Sequence, residues 1–195
     1  LGVRDVEGLR ALSLDALLAE QAHHLGVLSI GDLGSLSMDD LPGFGPSLDP
    51  VDLPEHPFTP EATETVRDKD LMIGWTAHEA GLFFADWEGY STAMTVEQVT
   101  ALIDRAAPGQ GEAIYAHIAA EYPGEPPHLV LCRAVSAQMM ASPAQAIATA
   151  VSNKARRVWA YEFDQPTEVL GGLLGACHSL DLAYVFGTVE RIPLT

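Results

Sequence analysis

DLMIGWT, residues 70–76, is a short apolar run that a charged residue opens and a threonine closes. Such a run without polar alternation is typical of a strand buried in a parallel sheet. The chain then turns through Ala77, His78 and Glu79. A second run, RVWAYEF at residues 157–163, is rich in β-branched and aromatic side chains and predicts another strand. Because helical patterns separate the two runs, the sequence predicts an α/β fold with a mostly parallel sheet.

The residues ahead of the first strand divide into a helical part and an irregular part. From Ser13 as N-cap, apolar residues recur at helical spacing, and Gly26 follows the predicted helix end; they are Leu14, Leu17, Leu18, Ala22 and Leu25. Residues 41–60 hold many prolines and glycines, which exclude a regular helix or a central strand. We expect an irregular surface excursion there.

Four helical patterns lie between the two strands. Thr95 and Gln98 form a capping box ahead of one helix, and a second helix follows Gly111. The apolar stretch around residues 129–140 favours a third helix. Ser142 precedes a proline and has the spacing of a capping box, so it predicts the start of a fourth. These helices are expected to form a lobe outside the sheet.

Composition and charge exclude several classes of partner. Ten basic residues stand against 27 acidic ones, a formal net charge of −17, so neither nucleic acid nor an anionic membrane surface is an expected partner. No window approaches the length of a membrane span. The two cysteines, Cys132 and Cys177, form no disulfide framework, which favours a reducing, cytoplasmic compartment.

Two side chains that could act together follow the two predicted strands. Glu79 comes just after the first, and His178 lies in a glycine-containing loop after the second. Either residue alone is more often an ordinary surface group. A histidine base, however, needs a carboxylate at its other ring nitrogen, and α/β-hydrolases carry nucleophile, acid and histidine in that order. Glu79 and His178 fit the last two places.

The surrounding segments make the resemblance more specific. GWTAHEAGLFF, residues 74–84, resembles the segment of type B carboxylesterases and cholinesterases that carries the triad glutamate, although Ala80 stands where that family usually has glycine. GACHSLDLAYVFG, residues 175–187, resembles the family's histidine segment. Residues 159–163 and the region from Phe44 to Pro57 are similar to the family's intervening strand and to its segment before the glutamate. Bacterial para-nitrobenzyl-esterase-like members are the nearest general likeness.

The resemblance implies a carboxylic-ester hydrolase in which Glu79 is the triad acid and His178 the general base, acting on a small-molecule ester without metal or organic cofactor. It gives Asp181 a structural role, as an ion-pair or loop-fixing residue. Cys177 beside the base invites a nucleophile hypothesis, but a packed thiol is favoured. His78 begins no H-E-x-x-H zinc motif, because position 82 is leucine.

The nucleophile that such a triad needs is missing from these 195 residues. No Gly-x-Ser-x-Gly elbow occurs, and Ser47 and Ser91 lie in near matches that lack the second glycine. We therefore expect residues 1–195 to be the C-terminal portion of one α/β-hydrolase domain, whose N-terminal part supplies the serine and the oxyanion hole. Two alternatives are a non-catalytic cholinesterase-like interaction module and an inactive truncated fragment.

Overall fold

The computed structural model describes residues 2–25, 47–58 and 64–191. The chain divides into two compact units, the first ending at Ser47. In the first unit, α1 spans Val6–Arg10 and α2 spans Leu14–Leu25. The Oγ of Ser13 accepts a hydrogen bond from the amide of Ala16, which confirms the predicted N-cap. The predicted stop at Gly26 lies outside the described residues.

The second unit alternates strand, helices and strand. Its elements in chain order are β1 (Asp70–Thr76), α3 (Ala80–Phe84), α4 (Val96–Ala106), α5 (Gly111–Glu121), α6 (Pro127–Ser136), α7 (Ser142–Ser152), β2 (Arg157–Phe163) and α8 (Leu180–Val185). Short 3₁₀ turns occupy Glu64–Val66, Val169–Gly172 and Val189–Arg191. Residues 47–58 contain neither helix nor strand, as their prolines predict; positions 41–46 and 59–60 of that segment lie outside the described residues.

The two strands pair in parallel and in register, from Asp70 opposite Arg157 to Thr76 opposite Phe163. A parallel pair needs a long crossover, which α3 to α7 supply here. The α/β prediction is therefore confirmed. The expectation that β1 is a buried strand is wrong for most of its length, since Met72 is 70% exposed and only Thr76 is buried. In the described residues the sheet has two strands, and no element covers the face that carries Met72 and its neighbour Trp159.

The four helices predicted between the strands correspond to α4 to α7, whereas the short helix α3 was not predicted. Thr95 and Gln98 form the capping box that starts α4. Ser142 is not the predicted N-cap, because it has helical backbone angles and no side-chain capping bond starts α7. A π-helical turn, Ala137–Ala141, carries α6 directly into α7. Proline has no N–H to donate, so Pro143 is tolerated where this turn has already replaced the regular α-helical hydrogen bonds.

The core of the second unit lies between the strand ends, α3 and the helices. Its largest fully buried apolar side chains are Phe84, Val99, Val130, Val151, Leu174 and Leu180. Burial of each contributes roughly 1.5–3 kcal/mol relative to exposure in water. Within the described ranges, no helix has both the length and the apolar character needed to cross a membrane.

Candidate functional site

Glu79 is held at the carboxyl end of β1. It immediately precedes α3 and is only 5% exposed. Its Oε1 accepts a hydrogen bond of 2.7 Å from the backbone N–H of Thr76, the last residue of the strand. This bond fixes the carboxylate in the turn, so its second oxygen has a defined direction.

The loop after β2 brings His178 to the same edge. The sheet pattern continues past the named strands, because the amide of Ala77 donates to the carbonyl of Phe163 and the amide of His78 donates to the carbonyl of Ala176. An isolated parallel bridge pairs His78 with Cys177. Since both strands run in the same direction, their carboxyl ends meet at one edge, where α/β sheets gather catalytic groups.

Glu79 and His178 meet at this edge. The Nδ1 of His178 lies 2.6 Å from the Oε2 of Glu79. The glutamate side chain is 6% exposed and the histidine side chain is 38% exposed. An ionised carboxylate only accepts hydrogen bonds, so Nδ1 carries the proton in this contact. Within the described residues, the other ring nitrogen, Nε2, has no hydrogen-bond partner. A ring in this state can accept a proton at Nε2.

The neighbours of His178 restrict its ring and its backbone. Phe83, in α3, lies against the imidazole with ring centroids 5.3 Å apart. Ser179 has φ +65°, a left-handed conformation that costs a non-glycine residue energy. Gly81 is needed for the approach of α3, because a Cβ there would lie 2.3 Å from the carbonyl oxygen of Leu174. The histidine loop is thus packed tightly against the turn that carries the glutamate.

Two other residues near the histidine take the structural roles expected of them. Cys177 is fully buried with Leu174 and Leu180, and burial raises the pKa of its thiol. It is a packed thiol, unlike a reactive cysteine, whose pKa is lowered. Asp181 lies in the first turn of α8 and accepts a hydrogen bond of 3.2 Å from the hydroxyl of Tyr161. That bond ties α8 to β2.

A second histidine–glutamate pair lies directly beside the first. The Nε2 of His78 is 2.9 Å from Oε1 of Glu125, and its Nδ1 accepts a 2.9 Å hydrogen bond from the amide of Ala176. Glu125 in turn accepts hydrogen bonds from Nε and Nη2 of Arg133, each at 2.9 Å. The Nη1 of Arg133 donates to Glu162 in β2. The pair is therefore part of a partly buried network of charges, in which Glu162 is the exposed member.

The charges of this network compensate one another. Burial opposes ionisation of Glu125, but the hydrogen bonds from His78 and Arg133 outweigh it and lower the pKa of Glu125 to about 2. Burial also disfavours the charged form of Arg133, yet its bonds to Glu125 raise its pKa. The guanidinium lies 3.6 Å from the ring centroid of Tyr122, in cation–π geometry. Glu125 is thus ionised at neutral pH.

Sequence reasoning did not find this network. His78 drew attention only as a failed zinc motif, and Glu125 lies in a proline-flanked turn that reads as a solvated loop. The contact between them joins residues 47 positions apart. No local pattern predicts such a pair, because it depends on how α6 packs against the strand ends.

A parallel α/β arrangement with an acid–histidine pair at its carboxyl edge is that of an α/β-hydrolase. The sequence profile of the carboxylesterase family matches residues 3–193, and the chain belongs to that family. Phenmedipham hydrolase of Pseudarthrobacter oxydans is 26% identical to the chain over 194 residues. The match covers 98% of this chain and 36% of that relative, so the chain spans about a third of the relative's length.

Proposed function

We propose that the chain contributes Glu79 and His178 to a Ser-Glu-His triad that hydrolyses carboxylic esters. The observation that carries the proposal is the 2.6 Å contact between His178 Nδ1 and Glu79 Oε2, with the second ring nitrogen unoccupied by any described residue. A carboxylate in this place fixes the histidine tautomer and stabilises the imidazolium. Membership of the carboxylesterase family supports the same reaction class.

The proposed reaction proceeds in two halves. A serine hydroxyl attacks the ester carbonyl while Nε2 of His178 takes its proton, and Glu79 stabilises the resulting imidazolium. The tetrahedral adduct collapses, and the C–O bond to the alcohol breaks as His178 returns the proton to the leaving oxygen. Water then attacks the acyl-serine with His178 again as base, which releases the carboxylic acid and restores the serine. Carbamates and amides offer the same carbonyl chemistry.

The serine and the oxyanion hole would come from the N-terminal part of the same polypeptide, which we propose as the partner of this chain. The uncovered face of β1 and β2 supports this, because Met72, Trp159 and Tyr161 are large apolar or aromatic residues that lie exposed there. A continuous exposed apolar face is typical of a surface that another element covers. This chain alone would be inactive. The unpaired Cys132 and Cys177 are consistent with a proposed cytoplasmic location.

The experiment that tests the function begins with the intact mass of the purified material and continues with a fluorophosphonate probe that reacts with activated serines. We expect a serine-containing segment of the missing part to co-purify and to become labelled. His178→Gln should abolish that labelling, since the serine then has no base.

Two results would overturn the proposal. If the serine-bearing segment is present but remains unlabelled, the pair performs no catalysis. If labelling persists at the same rate in His178→Gln, another residue is the base. A preparation that contains these 195 residues alone and labels nowhere would favour an interaction module or an inactive fragment.

A further inference from the structure

We propose that His78 is the positioning residue of the catalytic histidine, acting through the Ala176 amide. The inference rests on the proposed function, because it concerns the placement of the base. His78 directly precedes Glu79 in the chain, and it binds the segment that ends at His178. One short turn thus holds both members of the acid–base pair in place.

His78 engages both backbone groups of Ala176. Its own amide donates to the Ala176 carbonyl at 3.0 Å, and its Nδ1 accepts from the Ala176 amide at 2.9 Å. The first bond is available to any residue except proline at position 78. The second requires an acceptor in the side chain, at the position of Nδ1. The side chain therefore adds a specific constraint two residues ahead of His178.

The tautomer of His78 follows from these contacts. Because Nδ1 accepts a hydrogen bond from the Ala176 amide, Nδ1 carries no proton, and the ring proton lies on Nε2, which donates to Glu125. Glu125 is itself held by two bonds from Arg133. The His78 ring is consequently fixed at both nitrogens, and it is 3% exposed. A ring held in this way offers its acceptor in one direction.

The backbone around Ala176 is shaped to meet this ring. Gly175 has φ +60°, and a Cβ at that position would lie 2.6 Å from Nδ1 of His78. No other amino acid fits between the ring and the loop without displacement. The loop and the imidazole therefore approach each other at a distance that only glycine permits.

Two substitutions at position 78 each remove one of the two side-chain contacts of His78 and keep the other. In His78→Asn the side-chain oxygen lies near the position of Nδ1 and can accept from Ala176, whereas the contact to Glu125 is lost. In His78→Gln the amide nitrogen reaches the position of Nε2 and can donate to Glu125, whereas the acceptor is lost. The readouts are hydrogen exchange of the Ala176 amide and the ¹⁵N NMR signal of the His178 Nδ1–H, measured on the complete protein that contains these 195 residues.

We expect His78→Asn to keep the slow exchange of Ala176 and the Nδ1–H signal. His78→Gln should accelerate the exchange about tenfold and lose the signal, as expected from the loss of one intramolecular hydrogen bond. In the complete enzyme, the glutamine variant should lower kcat about 10²-fold with KM unchanged, because misplaced catalytic groups slow the chemical step. Equal behaviour of the two variants in both readouts would overturn the proposal.

Glycine substitutions supply a second test that leaves His78 intact. Gly175→Ala should lose the His178 Nδ1–H signal because its methyl group meets the His78 ring. Gly171→Ala is the matched control: Gly171 also has a positive φ, +67°, but a Cβ there meets nothing within 4 Å. If both alanine variants lose the signal, or if both keep it, the His78 contact does not position the base. These readouts do not depend on ester hydrolysis, so their failure is distinguishable from failure of the esterase proposal.

Discussion

Two histidine–glutamate pairs lie side by side at the carboxyl end of β1, and they differ in how many ring nitrogens are occupied. His78 is 3% exposed, and both of its nitrogens have partners, Glu125 and the Ala176 amide. The side chain of His178 is 38% exposed, and Nδ1 alone has a partner among the described residues. A fully bonded imidazole cannot accept a proton without breaking a bond. His78 and Glu125, the closed pair, therefore suit a structural role. Glu79 and His178, the open pair, suit proton transfer.

Replacing the acid of the open pair should have the largest effect. Glu79→Gln can still accept from the Thr76 amide, but it cannot stabilise an imidazolium at His178. We expect serine labelling by a fluorophosphonate in the complete enzyme to slow about 10⁴-fold, equivalent to about 5 kcal/mol. Glu88→Gln, an exposed carboxylate beyond α3, is the control and should label normally. Similar rates in the two variants would remove Glu79 from the mechanism.

The closed pair should respond in stability. Arg133→Met leaves Glu125 and Glu162 without the cation between them, so we expect the free energy of unfolding to fall by about 3–5 kcal/mol in urea at neutral pH. Arg67→Met is the control, because its partner Glu64 and Arg67 itself are largely exposed. Exposed pairs contribute at most about 1 kcal/mol. Comparable losses of unfolding free energy in both variants would show that the Arg133 network stabilises the fold no more than an exposed ion pair does.

The closed pair should also give the protein an acid-sensitive component of stability. The pKa of Glu125 is about 2 in the folded chain against an ordinary value of 4.5. Its contribution is present above pH 4.5 and is lost as the pH falls towards 2. Between pH 5 and pH 3, the free energy of unfolding of the wild type should fall by about 2 kcal/mol more than that of Glu125→Gln. Parallel pH profiles would contradict the assigned charge state.

The open pair was predictable from the sequence, whereas the closed pair was not. Local patterns predicted β1, β2 and most helices, and the segments around Glu79 and His178 identified the open pair because acid and base each follow a strand. The closed pair was not predictable, since Glu125 meets His78 only through the packing of α6. The π-helical turn that made Ser142 part of a continuous helix was missed for a related reason. Its hydrogen bonds leave no mark in the spacing of apolar residues.

The most direct test of the account is the neutral tautomer of each of the two histidines, measured by ¹⁵N NMR at mildly alkaline pH. Signals can be assigned among the seven histidines with His78→Asn and His178→Gln. We expect opposite tautomers: His178 protonated at Nδ1, with Nε2 free to accept a proton, and His78 protonated at Nε2. A His178 ring protonated at Nε2 would contradict this expectation, because that nitrogen could not act as the base.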